Sequence, residues 1–380
     1  MTRSVYPAAQ LVAATVEDHF AGHMSAARQK GLQHLAPAPD ARSIELIIDA
    51  AFWASLRHEE AYSPKISLAF LPPEQSGEPL TLERGLPLTP DVLTRLAPAV
   101  ERPGIHLGVW NGYGDELRVW GTTRAIPQLC FVLEVIEPGL LVIKYRRGQE
   151  TGKYVNVVVL KGDQIKVIDE QGTTLLDCPA MLTPLLGFGS TAADGNSINV
   201  LVQLAVSMRA HGRGGSLLVV PQDSQSWRES ILQPIPYAVV PPYSELAALM
   251  RQDPIPRSQQ IWQETFIDAV DAIAGLTAVD GAALITDQYE LLAFGAKIGR
   301  RDGGFRVEQV GVTEPVIGNV ISAVHPLELG GTRHLSAAQF VQDQRDSVAL
   351  VASQDGRFTV FAWSPCEEMV HAHRVETLLL

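Results

Sequence analysis

The chain has 380 residues, which at about 150 residues per domain suggests two or three domains. Hydrophobic residues make up 46% and charged residues 19%, so a substantial core can form and wholesale disorder is excluded. Acids outnumber bases 42 to 30, a net charge of −12, which argues against a broad grip on duplex nucleic acid, because that grip rests on Lys and Arg against phosphate. A local basic pocket for a small anion stays open.

Cys130, Cys178 and Cys366 are too few and too dispersed for a disulfide framework or a zinc site. The apolar stretch Leu11–Val16 runs straight into Glu17 and Asp18, which is unlike a signal peptide. No apolar run approaches the length of about 18 residues that a membrane span needs. The expectation is a cytoplasmic protein with reduced thiols and no membrane partner.

Along the chain, an apolar stripe at Val12, Val16, Phe20 and Met24 predicts a helix over Ala8–Lys30, ended by Gly31 and the Ala36-Pro37-Ala38-Pro39 run. A shorter helix follows at Ser43–Arg57. The Pro- and Gly-rich stretch from Ser63 to Gly104 holds one strand candidate, Ile66–Leu71. From Gly104 the pattern turns to β: Ile105–Trp110, Glu116–Thr122, Leu129–Glu137, Gly139–Arg146, Val155–Leu160 and Gln164–Asp169. Turn residues such as Asn111-Gly112, Pro138-Gly139, Lys161-Gly162-Asp163 and Gln171-Gly172 separate these runs and imply a mostly antiparallel sheet.

Asn196–Arg209 reads as a helix with Leu201, Ala205 and Met208 on one face, and His211-Gly212-Arg213-Gly214-Gly215 leads into a strand at Ser216–Val220. Pro241-Pro242 and Pro254-Ile255-Pro256 bracket a short helix and mark a domain boundary. Beyond it the pattern is α/β. A helix spans Gln259–Ala274, with Trp262, Phe266, Val270 and Ile273 on one face and Glu264, Asp268 and Asp271 opposite. Strands are predicted at Ala282–Thr286, Glu290–Phe294, Arg306–Val312, Ser347–Ala352 and Phe358–Trp363, with a helix from about Ser336 to Gln344. The order helix, glycine turn, strand occurs at 196–220 and again at 259–286. This reads either as a shared supersecondary unit or as an ordinary joint used twice.

Two segments carry candidate chemistry. Val279-Asp280-Gly281-Ala282 sets a carboxylate at the mouth of a buried strand, beside a glycine against whose backbone another group can lie. Such a carboxylate can bind a divalent cation or accept a proton from a hydroxyl; Asp-Gly is also, first of all, a turn dipeptide. Leu329-Gly330-Gly331-Thr332-Arg333-His334-Leu335-Ser336 combines a free backbone with hydroxyl, guanidinium and imidazole groups at a helix start, where phosphate is favoured. The rival reading there is a capped helix with Arg and His in solvent.

In this order, Asp280-Gly281-Ala282, then Phe294-Gly295-Ala296-Lys297-Ile298, then Gly331-Thr332-Arg333-His334, then Ser353-Gln354-Asp355-Gly356, residues 258–365 resemble the diadenylate cyclase domain family. That family makes cyclic di-AMP from two ATP molecules presented by facing domains, which implies a homo-oligomer. The resemblance implies that Asp280 binds Mg²⁺ or Mn²⁺ and helps deprotonate the attacking 3′-hydroxyl. It places Gly281 and Ala282 against the nucleotide, Thr332, Arg333 and His334 on the triphosphate, and Ser353 at its outer end; the helix-start argument adds Ser336. Leu335 stands where the family has a second Arg, and Gln354 where it usually has Glu, departures that bear on turnover more than on nucleotide binding.

Upstream, Arg102–Arg124, including Gly108-Val109-Trp110-Asn111-Gly112, and Asn199–Gly215 resemble the sensor domain DACNV, which accompanies such cyclase-like domains. The combined expectation is an α+β protein. Residues 1–240 form a mixed sensor-like domain with an antiparallel sheet, 241–257 a linker, and 258–380 a cyclase-like domain with a mixed sheet. The implied function is synthesis of cyclic di-AMP from ATP under control of the front domain. The alternatives are a catalytically impaired nucleotide-binding module and a purely structural protein.

Weaker candidates lie elsewhere in the chain. His19 and His23, four apart on the first helix, read as a metal pair lacking a third ligand or as a solvated face. His371 and His373 read as exposed tail residues. Arg209, His211 and Arg213 read as an anion site or as cations suited to a helix end. Trp110 and Trp120 read as core or hairpin partners.

Overall fold

The computed structural model describes residues 5–57, 63–112, 116–146, 154–169, 199–253 and 260–380. The chain parts into two compact units, Met1–Ile168 with Leu380, and Asp169–Leu379. Cys178 and the Gln171-Gly172 turn lie outside the described residues. Among the described residues no helix is long and apolar enough to cross a membrane.

The first unit runs α1 (Pro7–Gln29), α2 (Ala41–Ser55), β1 (Ile66–Phe70), β2 (Pro79–Pro87), α3 (Pro90–Leu96), β3 (His106–Asn111), β4 (Leu117–Thr123), β5 (Phe131–Glu137), β6 (Leu140–Arg146), β7 (Tyr154–Lys161) and β8 (Gln164–Val167). The strands form one sheet in the order β2-β4-β3-β1-β5-β6-β7-β8. Among the described strands only β1 and β3 pair in parallel, so the sheet is mostly antiparallel, as its turn residues predict. Asp40 caps α2 by accepting the Ser43 amide at 2.7 Å. The stripe Val12, Val16 and Phe20 packs with Ile44, Ile47 and Ile48 of α2 against Leu68, Leu133 and Leu141 of the sheet.

The opposite face of this sheet is part apolar and part polar. Trp120 is buried there and donates its indole N–H to the Leu71 carbonyl at 2.8 Å, while Trp110 packs on Phe70 with ring centres 4.8 Å apart, so both indoles serve packing. Beside them, the fully buried His106 ring bridges Ser67 Oγ (2.7 Å from Nδ1) and the Tyr154 hydroxyl (3.0 Å from Nε2). Lys144 Nζ pairs with Glu134 at 2.6 Å and lies over the Tyr154 ring.

The second unit runs α4 (Val200–Ala210), β9 (Gly215–Val220), β10 (Tyr237–Tyr243), α5 (Glu245–Met250), α6 (Gln260–Leu276), β11 (Ala282–Thr286), β12 (Leu291–Ala296), β13 (Val310–Thr313), β14 (Ser322–Val324), α7 (Pro326–Leu329), α8 (Thr332–Asp343), β15 (Val348–Ala352), β16 (Phe358–Ser364) and β17 (Met369–Arg374). The mixed sheet has the order β10-β12-β11-β9-β15-β16-β17-β13-β14, giving an α+β protein. Period-two alternation splits the core. Leu217 and Val219 of β9 face α4 and α6, whereas Leu218 and Val220 face α8.

Two sequence expectations change. The compact units part after Ile168, not in the Pro241–Pro256 segment, because β9 is a central strand of the second sheet, between β11 and β15, and Tyr237–Tyr243 is an edge strand despite its prolines. The two helix–turn–strand echoes are therefore neighbours: β9 and β11 pair in parallel, Ala283 against Leu217. His371 and His373 are not tail residues. They sit in β17, paired with β16, and are 5% and 1% exposed, with His373 Nδ1 2.6 Å from Thr313 Oγ1 and His371 Nε2 3.0 Å from Glu367.

Candidate functional site

The sheet register of the second unit gathers several chain segments at one end. Ala282 opens β11 and pairs with Ala296, which closes β12. Gly215 opens β9 and pairs with Ala352, which closes β15. Asp280, Lys297, Gly214 and Ser353 are each one or two residues beyond these pairs, so all four leave the sheet at the same end. The helix α8 begins there too, and its Arg333 reaches Gly214: a Cβ built on Gly214 would lie 3.0 Å from a guanidinium nitrogen.

The start of α8 corrects the sequence reading. The helix begins at Thr332, behind Gly331, so Thr332, Arg333 and His334 form its first turn and Ser336 lies in the second turn, half-buried. No side chain caps this end, and Thr332 is exposed. The pattern alone does not reveal this start, because the two glycines before it look like loop.

Asp280 stands out into solvent, its side chain 96% exposed, and pairs with Lys297 Nζ at 2.6 Å. The hydrogen bond and charge of Lys297, then the charge of Arg333, hold its carboxyl below the ordinary carboxylate range. Asp280 and Arg333, some fifty residues apart in sequence, are thus within electrostatic reach of each other. Gly281 has φ +119° and leaves no vacancy for a ligand at its Cβ position. The backbone of Gly295 fills that space, 2.4 Å from where a Cβ would stand. Ala282 is buried beneath the face that carries α8.

His334 is 2% exposed and lies against Phe361 in an edge-on arrangement, ring centres 6.0 Å apart. Among the described residues its Nε2 has no hydrogen-bond partner. Burial is the main force that pushes its pKa down, so it is neutral at pH 7. Leu335 packs against the same apolar cluster. Ser353 is half-buried in a tight turn, its amide donating to the Arg357 carbonyl at 2.9 Å. Gln354 Nε2 donates to the Arg213 carbonyl at 3.3 Å and ties that turn to the glycine loop before β9.

The site therefore contains groups that the sequence reading left without a role: Lys297, and Gly214 with its glycine loop. The signal for the glycine loop was the internal echo, which puts the entry to β9 beside the entry to β11. Beyond Gly295, the ring of Tyr237 stacks on Phe294 at 4.8 Å, with ring planes 11° apart.

Among the described residues no group of three or more His, Cys, Asp or Glu could hold a metal ion. Asp280 offers a single reachable carboxylate, its side chain 96% exposed and already paired with Lys297. His19 and His23 are half-buried on α1. Their rings lie 4.5 Å apart and pack on Tyr145. Arg209 donates to the carbonyls of Gly356 (3.2 Å) and Leu379 (2.9 Å), tying the end of α4 to later segments.

The family described as "Probable sensor domain DACNV" matches residues 33–124. The match covers α2 through β4 and lies wholly in the first unit. It includes Arg102–Arg124 but not Asn199–Gly215, which folds into the second unit around α4 and β9. No curated protein matches the chain.

Proposed function

We propose that the second unit binds ATP at this end of its sheet and condenses two ATP molecules into cyclic di-AMP, with the first unit acting as its sensor. The observation that carries the reading is the convergence of the Asp280, Gly214, Arg333 and Ser353 segments at one end of one sheet. The DACNV match in the first unit supports it, because such sensor domains in general occur alongside diadenylate cyclase domains.

The chemistry asked of these residues is positioning and charge neutralisation. Each 3′-hydroxyl in turn attacks the α-phosphorus of the other nucleotide and gives up its proton to solvent, so that two phosphodiester bonds form and two pyrophosphates leave in line. Arg333 and the uncapped amides of α8 stabilise negative charge on the phosphates. Asp280, held ionised by Lys297 and Arg333, accepts a hydrogen bond from the attacking hydroxyl and orients it. A Mg²⁺ or Mn²⁺ ion on Asp280 would supply further neutralisation of the phosphates. Each site presents one ATP, so a second copy of the unit presents the other.

A second reading, nucleotide binding without turnover, is favoured by the burial of His334 and by Leu335, which turns an apolar side chain into the core rather than a cation toward phosphate. Incubation of the full chain with ATP and Mn²⁺, followed by chromatography, separates the two. Cyclic di-AMP that disappears in Asp280→Asn carries the first. ATP binding without product, lost in Arg333→Ala, carries the second. Neither binding nor product overturns both.

A further inference from the structure

We propose that Lys297 is a phosphate-binding residue of this site, and that its ion pair with Asp280 is a resting arrangement which an incoming polyphosphate exchanges. The proposal rests on the nucleotide-binding reading above and assigns that site a second cation.

Lys297 follows Ala296, the last residue of β12, and so emerges beside the mouth of β11 where Asp280 emerges. Its backbone is fixed. The Lys297 carbonyl accepts the Leu232 amide at 2.8 Å, Ile298 bridges to Ile231, and the Gly299 amide donates to Ser230 at 2.9 Å. Only the side chain is free to swing, and it is half-exposed. In the sheet β11 has β12 on one side and β9 on the other, so Lys297 approaches Asp280 from the β12 side and Arg333 from the β9 side. Two cations thus flank one carboxylate, a local positive excess in a chain of net charge −12.

The pair is 2.6 Å long, but its Asp280 partner is 96% exposed. Exposed ion pairs are weakly held, because water competes for both charges and two long side chains must be ordered. A polyphosphate carries more charge and more acceptor oxygens than one carboxylate, and a lysine ammonium binds it as a mobile point charge with three donors. Exchange of partner therefore costs little and gains a charge-assisted contact.

The test is titration of the full chain with ATP and with AMP in the presence of EDTA, so that Asp280 is compared without any cation. Lys297→Met is expected to weaken ATP binding about tenfold, the usual worth of one hydrogen bond to a charged group, with a smaller effect on AMP and recovery in Lys297→Arg. Asp280→Asn is expected to tighten ATP binding by about two- to fivefold, because it releases the ammonium. That gain should vanish in Asp280→Asn/Lys297→Met. Wild-type affinity in Lys297→Met, or a gain that persists in the double variant, overturns the assignment of Lys297 and leaves the nucleotide site standing. Absence of ATP binding by the unaltered chain both in EDTA and with Mn²⁺ overturns both.

Discussion

Gly214 holds open the space in which the Arg333 guanidinium lies. With φ +72° at the entry to β9, it would place a Cβ 3.0 Å from a guanidinium nitrogen and 3.2 Å from the Ala352 carbonyl oxygen. The carbonyl belongs to a sheet strand and cannot yield, so the arginine must. Gly214→Ala is expected to cost about 1–2 kcal/mol of stability, from left-handed backbone strain, and in addition to weaken nucleotide binding by displacing Arg333. Gly212→Ala is the control. It has φ +63° and nothing within 4 Å, so it should show the strain without the loss of binding. Urea unfolding and ATP titration of the two variants check this, and equal ATP affinities would show that Arg333 is positioned independently of Gly214.

Much of this fold is legible in the sequence because burial imposes periodicity. The stripe of α1, the hydrophobic runs of β5 to β7 and the α6 face with Trp262 and Phe266 all bury the predicted residues. The misses have two causes. Edge strands need bury little: β2 is mostly exposed, and β10 carries Pro241 and Pro242, so neither shows alternation. β17 failed for the opposite reason, since His371 and His373 are polar types buried by pairing to β16, and polarity read as tail. The site divides in the same way. Asp280 and Arg333 were visible as a motif, whereas the closeness of Gly214 to Arg333 and of Lys297 to Asp280 depends on strand order, which no local pattern encodes.

The contact between Gly330 and His334 gives a purely steric test. Gly330 is extended, φ 173°, a conformation open to any residue, yet a Cβ there would fall 2.3 Å from His334 Nδ1. Gly330→Ala must push the buried imidazole aside. A loss of about 1–3 kcal/mol is expected from overpacking. In the double variant Gly330→Ala/His334→Ala the first substitution should cost almost nothing, because its obstacle is gone. Additive losses across this cycle, measured by thermal unfolding, would place the imidazole elsewhere.

Gly281 and Gly275 should behave in opposite ways. At Gly281 the obstacle to a Cβ is the Gly295 backbone at 2.4 Å, with φ +119° besides, so neither partner has a flexible end to move. Gly281→Ala is expected to cost about 3 kcal/mol or more and to separate the ends of β11 and β12. Gly275 lies within α6 with nothing within 4 Å of its Cβ position, so Gly275→Ala should add about 0.5–1 kcal/mol. Chemical denaturation midpoints give both signs, and a stable Gly281→Ala would mean that the β11–β12 joint is looser than its geometry shows.

Acid should weaken the first unit through His106. The ring is fully buried, and that burial brings its pKa down to about 4 against the upward pull of Glu134, while Lys144 and Arg146 push further down. In the unfolded chain a histidine titrates near 6.5. Between these values the unfolded chain takes up a proton that the folded chain refuses, so acid favours unfolding. The contribution of a neutral His106 is therefore complete above pH 6.5 and is lost as pH falls toward 4, by at most about 3 kcal/mol. His106→Gln keeps hydrogen-bonding groups beside Ser67 and Tyr154 but cannot take a proton. At pH 7 it should cost about 1–2 kcal/mol from disturbed hydrogen bonds, and its further loss on going to pH 4.5 should be much smaller than that of the unaltered chain. Native-state hydrogen exchange in β1 and β3 reads this directly. An equal loss of protection in both proteins would mean that His106 is already protonated in the fold, with the second unit, where burial brings His373 down to about 3, as the internal reference for the same acid sensitivity.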